Sequence, residues 1–496
     1  MAPGDGKSTA APKTDCIPPT LSFQMSMELE IPTPPKSLFP ASEERTRWDD
    51  ILTRWLSQAV ERVNQGAVTP TFDLARFRSE LAGFDFTAPR SLDELLPWTI
   101  AQMEHGLVHI AHPRYFGLYN PPATFPAQCA DRIAASFNPQ LATWTTSPAA
   151  VEIERHVIKA VASRAGLPQE AIGHFTSGGS EANYTALLCA LTRTNPRFAT
   201  EGARAFDGPP TFYVSRECHL AWIKIALQAG IGRLAARLVE TDGTGCMDLR
   251  SLRDAIERDR ASGCAPTMIV ATAGTTNAGM SDPLEDCAEI ARNYGLWYHV
   301  DAAWGGAMIA SDRLRGALTG IERADSILID AHKWFATTMG CGMFITADAS
   351  VLADVFQVST SFMPSNLQDL DPYVTSMQWS RRFMGLRLFL ALAAAGWEGY
   401  AVHVERAVEL AGLIGARLRK RGWAIQNQSP FGVLCAVPPP QLGTVASIAE
   451  RVRASGRAWV AAAKFERRDV IRICVTHGET NGTDIAALVE ALNEPA

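Results

Sequence analysis

The chain has 496 residues, too many for one hydrophobic core, so two or three domains are expected. With 47% hydrophobic and 20% charged residues it reads as an ordinary globular protein, and a net charge of -6 gives no reason to expect nucleic acid or an anionic membrane as a partner. Its longest strongly apolar stretch, Leu388 to Trp397, is roughly half the ~20 residues a membrane-spanning helix needs.

The first 40 residues are rich in Pro, Ala, Ser and Thr and are expected to form a disordered tail. They lack a basic region followed by an apolar one, so no secretory signal is expected and a cytoplasmic location is favoured. Ten cysteines without a CxxC pair suit a reducing compartment. Helical periodicity over Ser42–Asn64 (Trp48, Ile51, Leu52, Trp55, Leu56, Val60) and Ser91–Ala111 predicts an N-terminal helical segment, residues 41–115.

Short apolar runs then alternate with helical patterns. Gly173–Thr176, Thr211–Ser215, Thr267–Ala273, Trp297–Asp301, Ser326–Asp330 and Met343–Thr346 read as buried strands of an open, mostly parallel α/β sheet. This large domain is placed at residues 116–395, closed by a helix through Arg382–Ala395. Strands at Trp423–Gln426, Gly432–Val437 and Val470–Val475, a helix at Val445–Ala454 and a last helix from Thr483 predict a small C-terminal α+β domain, residues 396–496.

Three segments carry chemistry. In Thr176-Ser-Gly-Gly-Ser-Glu-Ala-Asn183, between a strand and a helix, Gly178, Gly179 and Ser180 suit a phosphate at a helix N-terminus; the bland alternative is a glycine turn with Ser180 as N-cap. Leu296-Trp-Tyr-His-Val-Asp-Ala-Ala-Trp-Gly-Gly306 delivers Asp301 to the carboxyl end of a strand, where ligands of parallel sheets sit and where an acid can pair with a protonated ring nitrogen. Asp325-Ser-Ile-Leu-Ile-Asp-Ala-His-Lys-Trp334 brings His332 and Lys333 to the same edge. A lysine there is costly unless its charge is paired or its pKa lowered, as an amine nucleophile requires.

Together these segments resemble the group II decarboxylases that depend on pyridoxal 5′-phosphate (PLP), the family of aromatic amino acid and glutamate decarboxylases. The resemblance runs from about Ala111 to the C-terminus. It implies the type I PLP-dependent, aspartate aminotransferase-like fold with a seven-stranded-type sheet, and a homodimer with sites at the interface. It implies PLP as cofactor, bound to Lys333 as a Schiff base, and an amino acid as substrate. It further places His219 against the ring, Thr272 and Ala303 beside it, Asp330 near the phosphate, and Arg472 on the substrate carboxylate. Read without the resemblance, His219 is an ordinary loop histidine, and for Arg472 a surface strand residue is as good a reading as a carboxylate-binding one.

Two departures follow from the comparison with the family. Phe362 falls where aromatic decarboxylases carry a proton-donating tyrosine, which opens an oxygen-consuming route to an aldehyde, ammonia and hydrogen peroxide, unless Tyr373 serves instead. The matched pocket wall has Leu118, Asn120, Gln140 and Ala142, whose amides favour a polar substrate, whereas Tyr119 and Trp144 could support an aromatic one. A PLP-binding protein without turnover is a third reading. His105, His109 and His112, with helical spacing beside Glu104, suggest metal ligands only in isolation, and no metal is expected.

Overall fold

The computed structural model describes residues 34–358 and 371–495; most of the expected tail (residues 1–33) and Phe362 lie outside them. Helices α1 (Ser42–Gln65), α2 (Leu74–Ala82) and α3 (Leu92–His105) open the described chain. The helix expected to reach Ala111 stops at His105, because Gly106 closes its last turn on the Gln102 carbonyl and the chain then leaves to pair the His109 N–H with the Val68 carbonyl. His105, His109 and His112 therefore share no helical face, and no group of three metal-ligating side chains occurs among the described residues. No described helix is long and apolar enough to cross a membrane.

Helices α4 (Phe125–Phe137) and α5 (Pro148–Ala165) lead into the large sheet. Val151, Val157, Ile158, Val161 and Ala162 of α5 are buried, the stripe that an amphipathic helix turns toward a core. The sheet contains β1 (Ile172–Thr176), β2 (Pro210–Ser215), β3 (Ala236–Val239), β4 (Ala265–Thr272), β5 (Trp297–Asp301), β6 (Ser326–Asp330) and β7 (Gly342–Thr346). Their order is β1-β7-β6-β5-β4-β2-β3. Only β7 runs against the rest. Every residue of β2, β5, β6 and β7 is buried, as expected where helices cover both faces of a parallel sheet. The covering helices are α6 (Gly179–Thr194), α8 (Ala221–Gln228), α9 (Leu249–Ala261), α10 (Leu284–Tyr294) and α11 (Val351–Phe356), and the single-turn α7 (Phe198–Glu201) packs on α6.

Long helix α12 (Gly385–Arg419) extends well beyond the predicted Ala395 and breaks direction at Gly396, whose φ of 65° suits glycine far better than other residues. After it come β8 (Ala424–Ile425), β9 (Val433–Val437), α13 (Val445–Ala454), β10 (Ala461–Phe465), β11 (Arg468–Cys474) and α14 (Gly482–Leu492). The four strands make an antiparallel sheet ordered β10-β11-β9-β8. Strands β3 and β10 were not anticipated: β3 is a four-residue edge strand, and β10, Ala-Ala-Ala-Lys-Phe, is poor in strand-forming side chains.

Candidate active site

The carboxyl ends of β4, β5 and β6 and the start of α6 surround a cleft lined by Tyr119, Ser180, His219, Thr272, Asp301 and Lys333, among others. Gly178, not Ser180, occupies the N-cap position of α6. A Cβ on Gly179 would lie 2.8 Å from Asp330 Oδ2, so glycine lets the helix start approach the end of β6 this closely. The first amides of α6 have no partner within the helix, and its dipole favours an anion there.

Asp301, at the end of β5, is 5% exposed. Its Oδ2 accepts a hydrogen bond from Asn183 Nδ2 at 2.8 Å, and its Oδ1 accepts one from the Ala303 N–H at 3.2 Å. Thr272, its register partner on β4, donates its N–H to buried Asp282 at 2.8 Å. Burial raises the Asp282 carboxyl to about 7, against the two backbone N–H bonds that hold its charged form. Lys333 stands on the turn after β6 with Nζ 3.0 Å from Asp330 Oδ2. The expected cost of a lysine at a buried strand end is thus met by an ion pair. Its turn carries Ala336 at φ 51°, a left-handed conformation that side-chain-bearing residues adopt sparingly. His332 accepts the Cys341 N–H at Nδ1, and exposed His219 accepts the Ala221 N–H.

The expected substrate residues are dispersed. Tyr119 lines the cleft, stacked on Trp304 at 4.2 Å, with its hydroxyl donating to the Thr275 carbonyl at 2.9 Å. Leu118, Asn120, Gln140, Ala142 and Trp144 do not line it within one protomer. Gln140 instead donates to Ser380, and the Trp144 indole to Glu152. Tyr373 is buried, stacked on Trp379 at 4.8 Å, and likewise lies outside the cleft lining.

Arg472 is 2% exposed, which overturns its reading as a surface strand residue. It lies on a strand enclosed between β9 and β10, above the Tyr119 ring at 4.5 Å. Its guanidinium donates to the carbonyls of Gly117 and Thr276, while Nη2 is buried without a partner.

An amine, an acid and a helix N-terminus thus meet at the strand ends of one α/β sheet. The chain belongs to the pyridoxal-dependent decarboxylase family, whose conserved domain matches residues 87–435. It is 32% identical over 338 residues to the acidic amino acid decarboxylase GADL1 of Bos taurus, covering 66% of this chain and only 64% of that protein's length. It is 33% identical over 349 residues to mouse cysteine sulfinic acid decarboxylase, covering 68% of this chain and 70% of that one. The crystal structure of mouse CSAD in apo form superposes with a TM-score of 0.83 at 26% identity, covering 90% of this chain and 98% of that one.

The cofactor is pyridoxal 5′-phosphate, and the cleft fits it. Thr272 Oγ1 and Asp330 Oδ1 are buried there without partners, and the lining combines an amine, a carboxylate and free helix amides, complementary to an aldehyde, a pyridine nitrogen and a phosphate. Sequence reasoning missed Asn183, His299 and Ser326, which stand behind Asp301. All three were in the quoted motifs, but only the β5–β6 register and the packing of α6 on β5 reveal their contact.

Proposed function

We propose that the protein removes the α-carboxylate of an L-amino acid as CO2 and releases the amine. The bound cofactor supplies an electron sink for the pair left at Cα. Lys333 is the amine that holds the cofactor and yields to the substrate's amine, with Asp330 paired to it at 3.0 Å. Gly178, Gly179 and Ser180 hold the phosphate with His332 and Asp330 nearby, and Thr272 and Ala303 flank the ring. Asp301 keeps the ring nitrogen protonated, and His219 closes the exposed side. Arg472 orients the substrate carboxylate through Nη2. The observation that carries this reading is the shared cleft at the ends of adjacent strands β5 and β6, into which both Asp301 and Lys333 are delivered.

The working unit in this reading is a homodimer. Leu56, Val60, Met103 and Phe125 line an apolar groove between the N-terminal helices, 46%, 58%, 49% and 75% exposed, more than a lone soluble protomer ordinarily presents together. Leu118, Asn120, Gln140 and Trp144 then belong to a substrate wall that two chains complete, and the amides of Asn120 and Gln140 favour a polar side chain on the substrate. Nine unpaired cysteines among the described residues support a reducing, cytoplasmic location. The oxygen-consuming route is not adopted: it depends on Phe362, outside the described residues, and the relatives above are named decarboxylases. The test is a screen of the twenty amino acids with CO2, amine and hydrogen peroxide all measured. Amine and CO2 in equal amounts are expected; aldehyde with peroxide, or no turnover, would refute the reading.

A further inference from the structure

Behind Asp301 a line of side chains crosses from the sheet to α6. Trp297, His299 and Asp301 alternate along β5 and so share one face. The Trp297 indole Nε1 lies 2.9 Å from Ser326 Oγ, Ser326 Oγ 2.8 Å from His299 Nδ1, His299 Nε2 3.0 Å from Asn183 Oδ1, and Asn183 Nδ2 2.8 Å from Asp301 Oδ2. Ser326 is the register partner of His299 across the β5–β6 pair, and Trp222 closes the side of the imidazole at 5.8 Å. Trp297 is 6% exposed, Asn183 3%, and His299 and Ser326 0%, so water does not compete for these bonds.

The two ends and the charge of the imidazole fix the direction of the bonds. An indole N–H only donates and a carboxylate only accepts. Asp301 therefore takes the Asn183 NH2 group, which turns Oδ1 to His299 and calls for the imidazole proton on Nε2. Burial favours a neutral imidazole, lowering the His299 pKa to about 4. Nδ1 then accepts the Ser326 hydroxyl hydrogen, while Ser326 Oγ accepts from Trp297. Bonds aligned head to tail polarise one another, so the last N–H reaching Asp301 is a stronger donor than an isolated amide.

We propose that Trp297, Ser326, His299 and Asn183 are positioning residues that fix Asp301 by Oδ2, leaving Oδ1, which has only the longer bond from Ala303, to face the cofactor's ring nitrogen. The proposal rests on the role given to Asp301 above and adds what sets that residue's position. A positioning relay differs from plain core packing because it acts on the protonation of the cofactor ring, which packing alone does not.

The test uses holoenzyme loaded with PLP labelled with 15N in the ring, in wild type, Asp301→Asn, His299→Phe, Asn183→Leu, Trp297→Phe and His299→Gln. The ring-nitrogen resonance is followed from pH 6 to 9, beside the cofactor dissociation constant and the melting temperature. Wild type is expected to keep the protonated-ring resonance throughout. His299→Phe and Asn183→Leu should move it toward unprotonated pyridine at the upper end and weaken cofactor binding roughly tenfold, as the loss of a hydrogen bond to a charged group does. Trp297→Phe should weaken binding about threefold, as loss of a neutral bond does, and His299→Gln, which can still accept and donate, should restore most of the wild-type behaviour. Variants that melt earlier yet keep the wild-type resonance and affinity would overturn the relay. Trp297→Phe removes one donor and retains a ring, so it decides the matter even where His299→Phe does not fold. Should Asp301→Asn leave the resonance unchanged, the role of Asp301 itself fails; should it shift while the relay variants do not, only the relay fails.

Discussion

The cofactor end of the cleft and its substrate end are built in different ways. At the cofactor end one chain supplies every expected group: Lys333 paired with Asp330, Asp301 held by Asn183 and Ala303, and the first turn of α6 against the end of β6. At the substrate end the same chain brings Tyr119 to the lining and leaves Leu118, Asn120, Gln140 and Trp144 outside it. Strand ends within a sheet are located by backbone hydrogen bonds, so residues there are fixed in one protomer. In the homodimer proposed above, loop residues near the exposed apolar helices would wait on a second surface, so that cofactor binding would belong to the fold and substrate selection to the assembly.

The sharpest way to break this contrast is at the amine. Lys333→Ala should lower turnover by at least about 10^3-fold, the scale on which removal of a reacting group acts, while the protein remains folded; circular dichroism and an amine-release assay check this. Next comes the apolar groove. Val60→Asp combined with Met103→Asp should yield monomers that still bind the cofactor but turn over at least about 100-fold more slowly, the order of loss when substrate positioning fails. Sedimentation with an activity assay decides it, and an active monomer would erase the distinction between the two ends. At the boundary, Arg472→Met should raise KM roughly tenfold or more through loss of a charge-assisted hydrogen bond. Steady-state kinetics with the best substrate of the screen would read that effect.

The smallest effect is on acid stability. Burial lowers the pKa of His112, His299 and His403 to about 4 and of His174 to about 3. Their unfolded value is near 6.5. Such groups contribute stability that is fully present above pH 6.5 and is lost as pH falls toward 4, because the unfolded chain then binds more protons. The melting temperature should decline steadily from pH 6.5 to 4.5, and His403→Gln should flatten that decline slightly.

Legibility in the sequence follows the same division. Strands β5 and β6 were readable to the residue because both are continuous buried apolar runs ending on an acid, and the groups they deliver were readable with them. The stop of α3 was not, since apolar residues continue at helical spacing past His105 while the backbone turns away at Gly106. For Arg472 the sequence left a surface position open, since alternation alone does not tell that its strand lies inside a sheet packed over Tyr119. The relay behind Asp301 needs the register of β5 on β6 and the approach of α6, separations of 27 and 118 residues that no local pattern records. The expected substrate wall is the least legible part, for the described chain leaves Leu118, Asn120, Gln140 and Trp144 outside the cleft lining.

The most direct test of the central claim is reduction of the purified protein with borohydride in the presence of its cofactor, followed by peptide mapping. The protein should be yellow, lose its colour on reduction, and carry the cofactor's mass on Lys333 alone. A label on another lysine, or a colourless protein that takes up no cofactor, would contradict the assignment of this cleft as the active site.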